Sequence, residues 1–266
     1  MTLQELLPEL GRRTLVMGIL NITPDSFSDG GRWLDPSRAV ERARQMQREG
    51  ADILDIGGES TRPGAEPVSA DEELRRVLPV IERVASEVPL PISLDTMKAT
   101  VARAGVAAGA CLINDVSAGT RDPQMLATVA ALGVPVCLMH FPTDPQAMGW
   151  SRSALPEGVD VIAEVTECLG ARVRAARAAG ISDEAILLDP GFGFGKSVAQ
   201  NLALLRRLPE LCAALPYPLL LGTSRKSTIA RVLGPEADAD DPQRFAGTAA
   251  TVALSIAGRR SHHSCP

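Results

Sequence analysis

Six short apolar segments of this 266-residue chain each end in Asp, Asn or a turn that contains glycine. They are LVMGILN, ILDIGG, PISLD, CLIND, ILLDPG and LLLGTSRKS. A strand that is buried on both faces reads as a continuous apolar run, as in parallel sheets that are covered by helices. Polar residues after nearly every strand favour an α/β barrel, because in that architecture the carboxyl ends of all the strands surround one pocket.

Predicted strands and predicted helices alternate along the chain. The seven predicted strands are 15–20, 53–57, 91–95, 111–115, 134–140, 186–189 and 219–222. The predicted helices are 37–49, 71–86, 98–107, 123–132, 158–179, 201–211 and 243–256. Repeated βα units fit either a (β/α)₈ barrel or a doubly wound sheet. A doubly wound sheet collects its polar groups at one switch point, so we expect a TIM-type (β/α)₈ barrel.

Length and charge restrict the classes of function that are open to the chain. With 266 residues and 45% hydrophobic content it can bury one full core, and α/β barrels of about 250 residues are routinely undivided. The formal net charge of −5 and the absence of a basic run argue against a nucleic-acid partner. No apolar stretch reaches the roughly 18 residues of a membrane span, and the start lacks the pattern of a signal peptide. We therefore expect a cytoplasmic protein without a nucleic-acid or membrane partner.

The connections after the first two predicted strands are long, since βα loops usually have about two to six residues. They read NITPDSFSDGG from residue 21 and GGESTRPGAEPVS from residue 57. Thr61 and Arg62 offer a hydroxyl and a cation that suit an anionic group, and Asn21 offers an oxygen of the kind that Mg²⁺ prefers. The alternative is a pair of turns whose polar residues only satisfy backbone groups.

A glycine-rich segment, DPGFGFGKS, follows the sixth predicted strand at 189–197. It is not a Walker A phosphate loop, because Pro190 stands where that motif requires glycine. It places the carboxylate of Asp189 at a strand end, before a turn with little side-chain bulk against which a flat ligand could lie. Phe192 and Phe194 could cover that ligand. A plain glycine-rich turn with both phenylalanines in the core explains the same residues.

Six motifs in order resemble the dihydropteroate synthase family of the folate pathway. They are NITPDSFSDGG, LDIGGESTRPG, ISLDTMK, INDVSAG, DPGFGFGK and GTSRKSTI, and the resemblance covers about residues 15 to 257. It implies a barrel enzyme that joins 6-hydroxymethyl-7,8-dihydropterin diphosphate to 4-aminobenzoate and releases diphosphate. It also implies Mg²⁺ as cofactor, a homodimer, and a target for sulfonamides.

The resemblance implies roles for individual residues in binding the pterin. Asp95, Asn114 and Asp189 are implied to accept hydrogen bonds from the ring N–H and amino donors of its aminopyrimidine edge. Lys226 is implied to contact the pterin carbonyl side and the aminobenzoate region, and with Arg62 it is the predicted catalytic pair. His140 ends the fifth predicted strand, and a structural and a catalytic role fit it equally well, so we assign it neither.

The other implied roles concern the diphosphate, the metal and the second substrate. Asn21 is implied to hold Mg²⁺, and Thr61 and Arg62 to bind phosphate oxygens. The residues implied to form the aminobenzoate pocket, and with it the sulfonamide contact region, are Phe27, Pro63 and Ser227. Because diphosphate is a good leaving group, the reaction needs positioning and charge stabilisation rather than a strong base.

The resemblance ends before the chain does. The family continues into an eighth strand with an Arg-x-His motif, whereas residues 258–266 read GRRSHHSCP. We expect a pterin-binding barrel domain at 1–257, without its eighth strand and last helix, and a non-family polar tail at 258–266. His262 and His263 fit a solvated terminus. Our hypothesis for the tail is a change of reading frame, because one permitted codon string, shifted by one base, encodes Ala-Ala-Gly-Ala-Ile-Ile-Arg-Ala followed by a codon that begins with CA and can encode His.

Three functions remain open at this point. The first is a working dihydropteroate synthase. The second is a catalytically impaired pterin-binding protein, in which the pterin residues remain but the diphosphate is poorly stabilised. The third is a methyltetrahydrofolate-dependent methyltransferase of the wider pterin-binding group. The segments NITPDSFSDGG and SRKS favour the synthase, because a methyl donor lacks the diphosphate that they serve.

Overall fold

A computed structural model describes residues 1–22, 36–61, 66–141, 155–234 and 242–260. In this part of the chain six strands form one sheet, in the order β1-β2-β3-β4-β5-β6. The strands are β1 (Met17–Asn21), β2 (Ile53–Gly57), β3 (Ile92–Asp95), β4 (Leu112–Asp115), β5 (Val136–Met139) and β6 (Ile186–Asp189). The pairs from β1 to β5 are parallel. Sequential order with helical crossovers is the α/β barrel arrangement, and over the described residues the barrel is not closed.

Ten α-helices lie in the described residues. They are α1 (Leu3–Leu6), α2 (Pro36–Arg48), α3 (Ala70–Glu87), α4 (Ala99–Ala107), α5 (Met125–Leu132), α6 (Val161–Ala178), α7 (Val198–Arg206), α8 (Leu208–Ala214), α9 (Ser227–Leu233) and α10 (Pro242–Arg260). Local sequence explains several of their ends. Ser69 caps α3 by accepting a hydrogen bond from the N–H of Glu72, and Ser197 and Gln200 form a capping box at α7. Within the described residues, none of the helices has the length and apolar character that crossing a membrane requires.

Six of the seven predicted strands are confirmed, and the prediction of a seventh strand at 219–222 is wrong. Leu219 forms only an isolated parallel bridge with Leu188 of β6. The N–H of Leu188 donates to Pro218 and its carbonyl accepts from Leu220. Pro216 and Pro218 have no N–H, so the ladder cannot extend toward the start of this segment.

The prediction of one helix at 201–211 is also wrong, because this region forms two helices, α7 and α8. The chain leaves helical geometry at Arg207, and Pro209 stands in the first turn of α8. Proline fits that position because the first N–H groups of a helix have no acceptor within it. Neither α1 nor α9 was predicted.

The chain divides into two compact units. The first contains the described residues of Met1–Thr61, Ala65–Leu138 and Val173–Leu187, and the second those of Met139–Arg172 and Leu188–Pro266. In the first unit the helix α3 buries Val77 and Ile81, and β2 and β3 bury Leu54 and Leu94. In the second unit the most buried side chains include Phe192 and Leu204.

The predicted tail is described only in part. Helix α10 continues to Arg260, three residues past the predicted boundary at 257. His262 and His263 lie outside the described residues. The polar tail and the change of reading frame therefore stay predictions, and the coding DNA tests them directly.

Candidate active site

Four residues at the carboxyl ends of β1 to β4 share one row of the sheet. Asn21 pairs with Gly57, Gly57 with Asp95, and Asp95 with Asn114. Residues in such a row direct their side chains to the same face of the sheet. A Cβ atom at Gly57 would lie 3.3 Å from Cβ and Oδ2 of Asp95, so the glycine leaves room for that carboxylate.

Asp55 lies two residues before Gly57 and therefore on the same face of β2. Its Oδ1 accepts a hydrogen bond of 2.6 Å from the hydroxyl of Ser93, and its Oδ2 accepts one of 3.1 Å from Nδ2 of Asn114. All three side chains are buried. Asp55 thus connects β2 to β3 and β4 directly beneath the row that holds Asp95 and Asn114. Its place within an apolar run does not by itself mark Asp55 as a site residue.

Asp95 is a half-buried carboxylate in an acidic environment. Burial raises its pKa well above the usual range, and the neighbouring carboxylates of Asp55, Glu73 and Asp115 raise it further. No hydrogen bond to its side chain occurs among the described residues. Hydrogen-bond donors of a ligand would therefore stabilise this half-buried carboxylate.

Asp115, next to Asn114, has a structural role. Its carboxylate accepts hydrogen bonds from the N–H and the hydroxyl of Ser117 and from the N–H of Gly119. These bonds hold the turn after β4, in which Ala118 and Gly119 have positive φ angles of 50° and 73°. The carboxylate at this strand end therefore shapes the turn.

A lysine with two carboxylates lies beside the second βα connection. Nζ of Lys98 is 2.6 Å from Oε2 of Glu59 and 2.5 Å from Oε2 of Glu73. Oε1 of Glu59 accepts a hydrogen bond of 3.0 Å from the N–H of Val68, so Glu59 joins the two ends of that connection. Burial raises the pKa of Glu73, which is 0% exposed. Burial alone lowers the pKa of Lys98, but the hydrogen bonds to both carboxylates raise it overall.

In the second unit, Asp189 ends β6 and is buried. Its Oδ1 accepts a hydrogen bond of 2.7 Å from the N–H of Gly191. Burial raises the pKa of Asp189 to about 6, although the Gly191 N–H, Lys226 and Lys196 each act to lower it. Burial in the fold therefore disfavours the charged form of Asp189.

Lys196 organises the glycine-rich turn that follows Asp189. Its ammonium donates to the carbonyls of Gly191 at 2.9 Å and Phe194 at 3.1 Å, and it lies 2.8 Å from Nδ1 of His140. Burial lowers the pKa of Lys196 to about 7. Burial and the charge of Lys196 lower the pKa of His140 to about 2, so the imidazole is neutral and accepts at Nδ1. His140 is thus a hydrogen-bond partner of Lys196.

Lys226 immediately precedes α9, and its Nζ lies 3.8 Å from the ring centroid of Phe194, a cation–π contact. Phe194 is buried and its ring also lies 5.8 Å from that of Phe141, whereas Phe192 packs in the core. The amide of Asn201 ties the turn to α9. Its Oδ1 accepts from the N–H of Gly193 at 2.8 Å and its Nδ2 donates to the hydroxyl of Thr228 at 3.0 Å.

The lysine content of the chain is a signal for two residues, Lys98 and Lys196, that were not among the predicted site residues. Only three of the 27 Lys and Arg residues are lysines, namely Lys98, Lys196 and Lys226. An ammonium is a compact point charge that donates in three directions, whereas a guanidinium is a planar fork. Nζ of Lys98 and Nζ of Lys196 each contact several acceptors, and Nζ of Lys226 lies over an aromatic ring. In a chain that otherwise uses arginine, all three lysines thus lie in the candidate site or beside it.

Comparison with known proteins identifies the family. The family described as pterin binding enzyme matches residues 17–259. The chain belongs to the pterin-binding enzyme family. The dihydropteroate synthase of Synechocystis is 48% identical over 249 residues, which cover 93% of this chain and 83% of that protein.

Solved structures of pterin-binding enzymes match the fold as well. Dihydropteroate synthase from Xanthomonas albilineans, solved with 4-aminobenzoic acid, has a TM-score of 0.83 at 51% identity and covers 92% of this chain and 85% of that one. The Yersinia pestis enzyme, solved as a sulfonamide drug complex, has a TM-score of 0.83 at 42% identity, with coverage of 93% and 86%. This pterin-binding enzyme is accordingly a transferase that catalyses dihydropteroate synthesis in folate biosynthesis.

The predicted site residues of this pterin-binding enzyme fall into four groups. Asn21, Asp95 and Asn114 lie in the row across β1 to β4. Asp189, Lys226 and Ser227 lie in the second unit, and Thr61 is half-buried at the end of the described part of the second connection. The remaining predicted residues, which lie outside the described residues, are Phe27, Arg62 and Pro63.

Asn21, the predicted magnesium ligand, fits a metal site to which the protein supplies few ligands. Among the described residues, no group of three or more His, Cys, Asp and Glu side chains is placed to hold a metal ion. Asn21 is exposed at the end of β1, so its side-chain oxygen is accessible. Mg²⁺ usually keeps several waters and takes one or two protein ligands together with substrate phosphates. A single amide oxygen fits that mode of binding.

Proposed function

We propose that this enzyme joins 6-hydroxymethyl-7,8-dihydropterin diphosphate to 4-aminobenzoate, and that Asp95, Asn114 and Asp189 accept hydrogen bonds from the pterin. The observation that carries the proposal is the pair of Asp95 and Asn114, neighbours in one row of the sheet. A pterin brings ring N–H and amino donors, and an unpaired buried donor costs about 1–3 kcal/mol. The buried carboxylate of Asp189 is a further acceptor of the kind that these donors require.

Lys226 and Arg62 are the cations proposed to act on the reacting groups. The contact of the Lys226 ammonium with the Phe194 ring supports a fixed position for that charge, at the pterin carbonyl side. Phe27, Pro63 and Ser227 are proposed to form the pocket for 4-aminobenzoate, at which sulfonamides compete. Support comes from the relatives that were solved with 4-aminobenzoic acid and with a sulfonamide drug.

The proposed reaction breaks the bond between the pterin methylene carbon and the diphosphate oxygen. The amine nitrogen of 4-aminobenzoate attacks that carbon as a neutral nucleophile and then loses a proton to water, so no strong base is required. Thr61 and Arg62 are proposed to bind the phosphate oxygens, and their hydrogen bonds stabilise the charge that develops on the leaving group. Mg²⁺, held by Asn21, would supply further positive charge to the diphosphate when it is bound.

Two assays test the proposal and separate it from the impaired pterin-binding protein. The first measures diphosphate release that depends on 4-aminobenzoate, with Mg²⁺ and dihydropterin diphosphate. The second measures equilibrium binding of 6-hydroxymethylpterin by its fluorescence. We expect the parent to pass both tests and Asp95→Ala to fail both, with Asp183→Ala as the control for an exposed carboxylate. Binding without release would support the impaired protein, and release unaffected by Asp95→Ala would refute the proposed site.

Assembly and location stay predictions. A homodimer is supported by exposed apolar side chains on α10, where Phe245 is 70% and Leu254 59% exposed. Light scattering with Phe245→Glu and Leu254→Glu tests it: we expect the parent to be dimeric and the variants monomeric, and a monomeric parent would show the prediction to be wrong. Cell fractionation tests the predicted cytoplasmic location.

A further inference from the structure

The amide of Asn114 has two ends with opposite hydrogen-bonding character, and only one of them faces Asp55. Nδ2 of Asn114 donates to Oδ2 of Asp55 at 3.1 Å, while Oδ1 of Asp55 accepts from the hydroxyl of Ser93 at 2.6 Å. A carboxylate has acceptors and no donors. If the amide turned over, two oxygens would face each other in a buried place, and a buried acceptor without its donor is costly.

The orientation of this amide decides what Asn114 offers to a ligand. With Nδ2 engaged by Asp55, the oxygen Oδ1 is the atom available at the end of β4. No hydrogen bond to this oxygen occurs among the described residues. When it is ionised, the carboxylate of Asp95, its neighbour in the row, likewise offers acceptors alone. The pair therefore presents acceptors side by side to whatever lies above the row.

We propose that Asp55 is a positioning residue that holds the oxygen of Asn114 toward the ligand, so that the site selects a ring with hydrogen-bond donors at this place. The inference rests on the proposed pterin-binding role of Asn114. Asp55 lies below the row, and it acts through Asn114. A ligand with an acceptor at the same position would place that acceptor against the oxygen of Asn114, and the two would repel each other. The site would thus select its ligand both by attracting donors and by repelling acceptors.

Asp55 has a second effect on the same row. Its carboxylate is one of several that raise the pKa of Asp95 beyond the effect of burial. The groups that face Asp95 are Asp55 of β2, Glu59 after β2, Glu73 of α3 and Asp115 of β4, and Lys98 neutralises part of this charge through Glu59 and Glu73. Removal of the charge at Asp55 should therefore let Asp95 ionise at lower pH.

Exchange of the two side chains tests the proposal. Asp55→Asn permits the amide of Asn114 to turn over, and we expect binding of 6-hydroxymethylpterin to weaken about tenfold or more. The double variant Asp55→Asn/Asn114→Asp keeps the net charge and a donor–acceptor pair, since the amide at position 55 now donates to the carboxylate at position 114. An oxygen again faces the ligand, so we expect most of the lost affinity to return. Ser93→Ala, which removes the other hydrogen bond to Asp55, is the matched control and should have the smaller effect.

Two readouts separate positioning from a purely structural role. As the solution is made more acidic, probe binding should be lost at a lower pH in Asp55→Asn than in the parent. In the double variant, the pH at which binding is lost should return toward that of the parent. In the assay of the complete reaction, the KM for dihydropterin diphosphate should rise in Asp55→Asn while the KM for 4-aminobenzoate stays unchanged. Circular dichroism checks that each variant is folded, and the charge-conserving double variant tests the proposal if Asp55→Asn does not fold.

The outcomes distinguish this inference from the function on which it rests. If Asn114→Ala binds the probe as the parent does, the proposed role of Asn114 fails. If Asn114→Ala binds weakly but Asp55→Asn binds normally with an unchanged pH profile, the positioning role of Asp55 is overturned. A double variant that binds no better than Asp55→Asn also overturns it, because the polarity of the pair would then be irrelevant.

Discussion

The charge cluster of Lys98, Glu59 and Glu73 gives the sharpest prediction about stability. Lys98→Met leaves Glu73, which is 0% exposed, without its cation. Removing one partner of a buried ion pair costs about 3–5 kcal/mol. The Lys98 side chain is 24% exposed, so we expect the lower end of this range, about 3 kcal/mol. This is a large part of the roughly 5–15 kcal/mol by which proteins are stable.

The pH dependence of this loss follows from the protonation of Glu73. Burial already raises the pKa of Glu73, and without Lys98 it should rise further. The folded variant then holds a proton that the unfolded chain releases, so its stability falls as pH rises above the unfolded pKa of about 4.3. We expect the difference between parent and variant to be small near pH 4.5 and largest near pH 8.

Urea unfolding followed by circular dichroism at both pH values measures this effect. Lys98→Met/Glu73→Gln removes the charge of Glu73, the more deeply buried of the two carboxylates that lose Lys98, and should recover more than half of the lost stability at pH 8. Arg83→Met is the matched control, because Arg83 pairs with Glu87 on the same helix in an exposed place and should cost less than about 1 kcal/mol. A variant Lys98→Met that unfolds like Arg83→Met, or a double variant no more stable than Lys98→Met, would refute the reasoning.

Three further predictions concern the other polar residues. Asp189→Asn should stabilise the protein at pH 8 by about 1–3 kcal/mol, because the raised pKa of about 6 means that the charge of Asp189 is costly above that pH. Urea unfolding should show that this gain in stability vanishes near pH 4. The same variant should bind the probe more weakly. Gly57→Ala should reduce the free energy of probe binding more than the free energy of unfolding, since the new Cβ lies 3.3 Å from Oδ2 of Asp95. Equal losses of the two free energies would contradict this. Lys196→Arg should lower the urea midpoint almost as much as Lys196→Met, because a guanidinium cannot meet three converging acceptors. Arg177→Lys, an exposed exchange, is the control and should leave the midpoint unchanged.

Much of the fold and part of the site follow from local patterns in the sequence. Continuous apolar runs identify the six strands, because a strand covered on both faces has no solvent-facing residues. Motifs at the ends of these runs predict Asp95, Asn114 and Asp189 as acceptors, and the row across β1 to β4 has Asp95 beside Asn114. The break between α7 and α8 at Arg207 was also readable in principle, because Pro209 two residues later is a local constraint on the backbone.

Tertiary structure decided what the individual polar residues do. Asp55, Asp95 and Asp115 look alike in sequence as carboxylates in or at the end of apolar runs. In the fold, Asp55 holds the amide of Asn114, Asp115 caps a turn, and Asp95 has no hydrogen-bond partner among the described residues. These roles depend on contacts between residues that are distant in the chain, such as the 59 positions between Asp55 and Asn114. Sequence specifies which residues end a strand, whereas the register of neighbouring strands determines which donors and acceptors meet there.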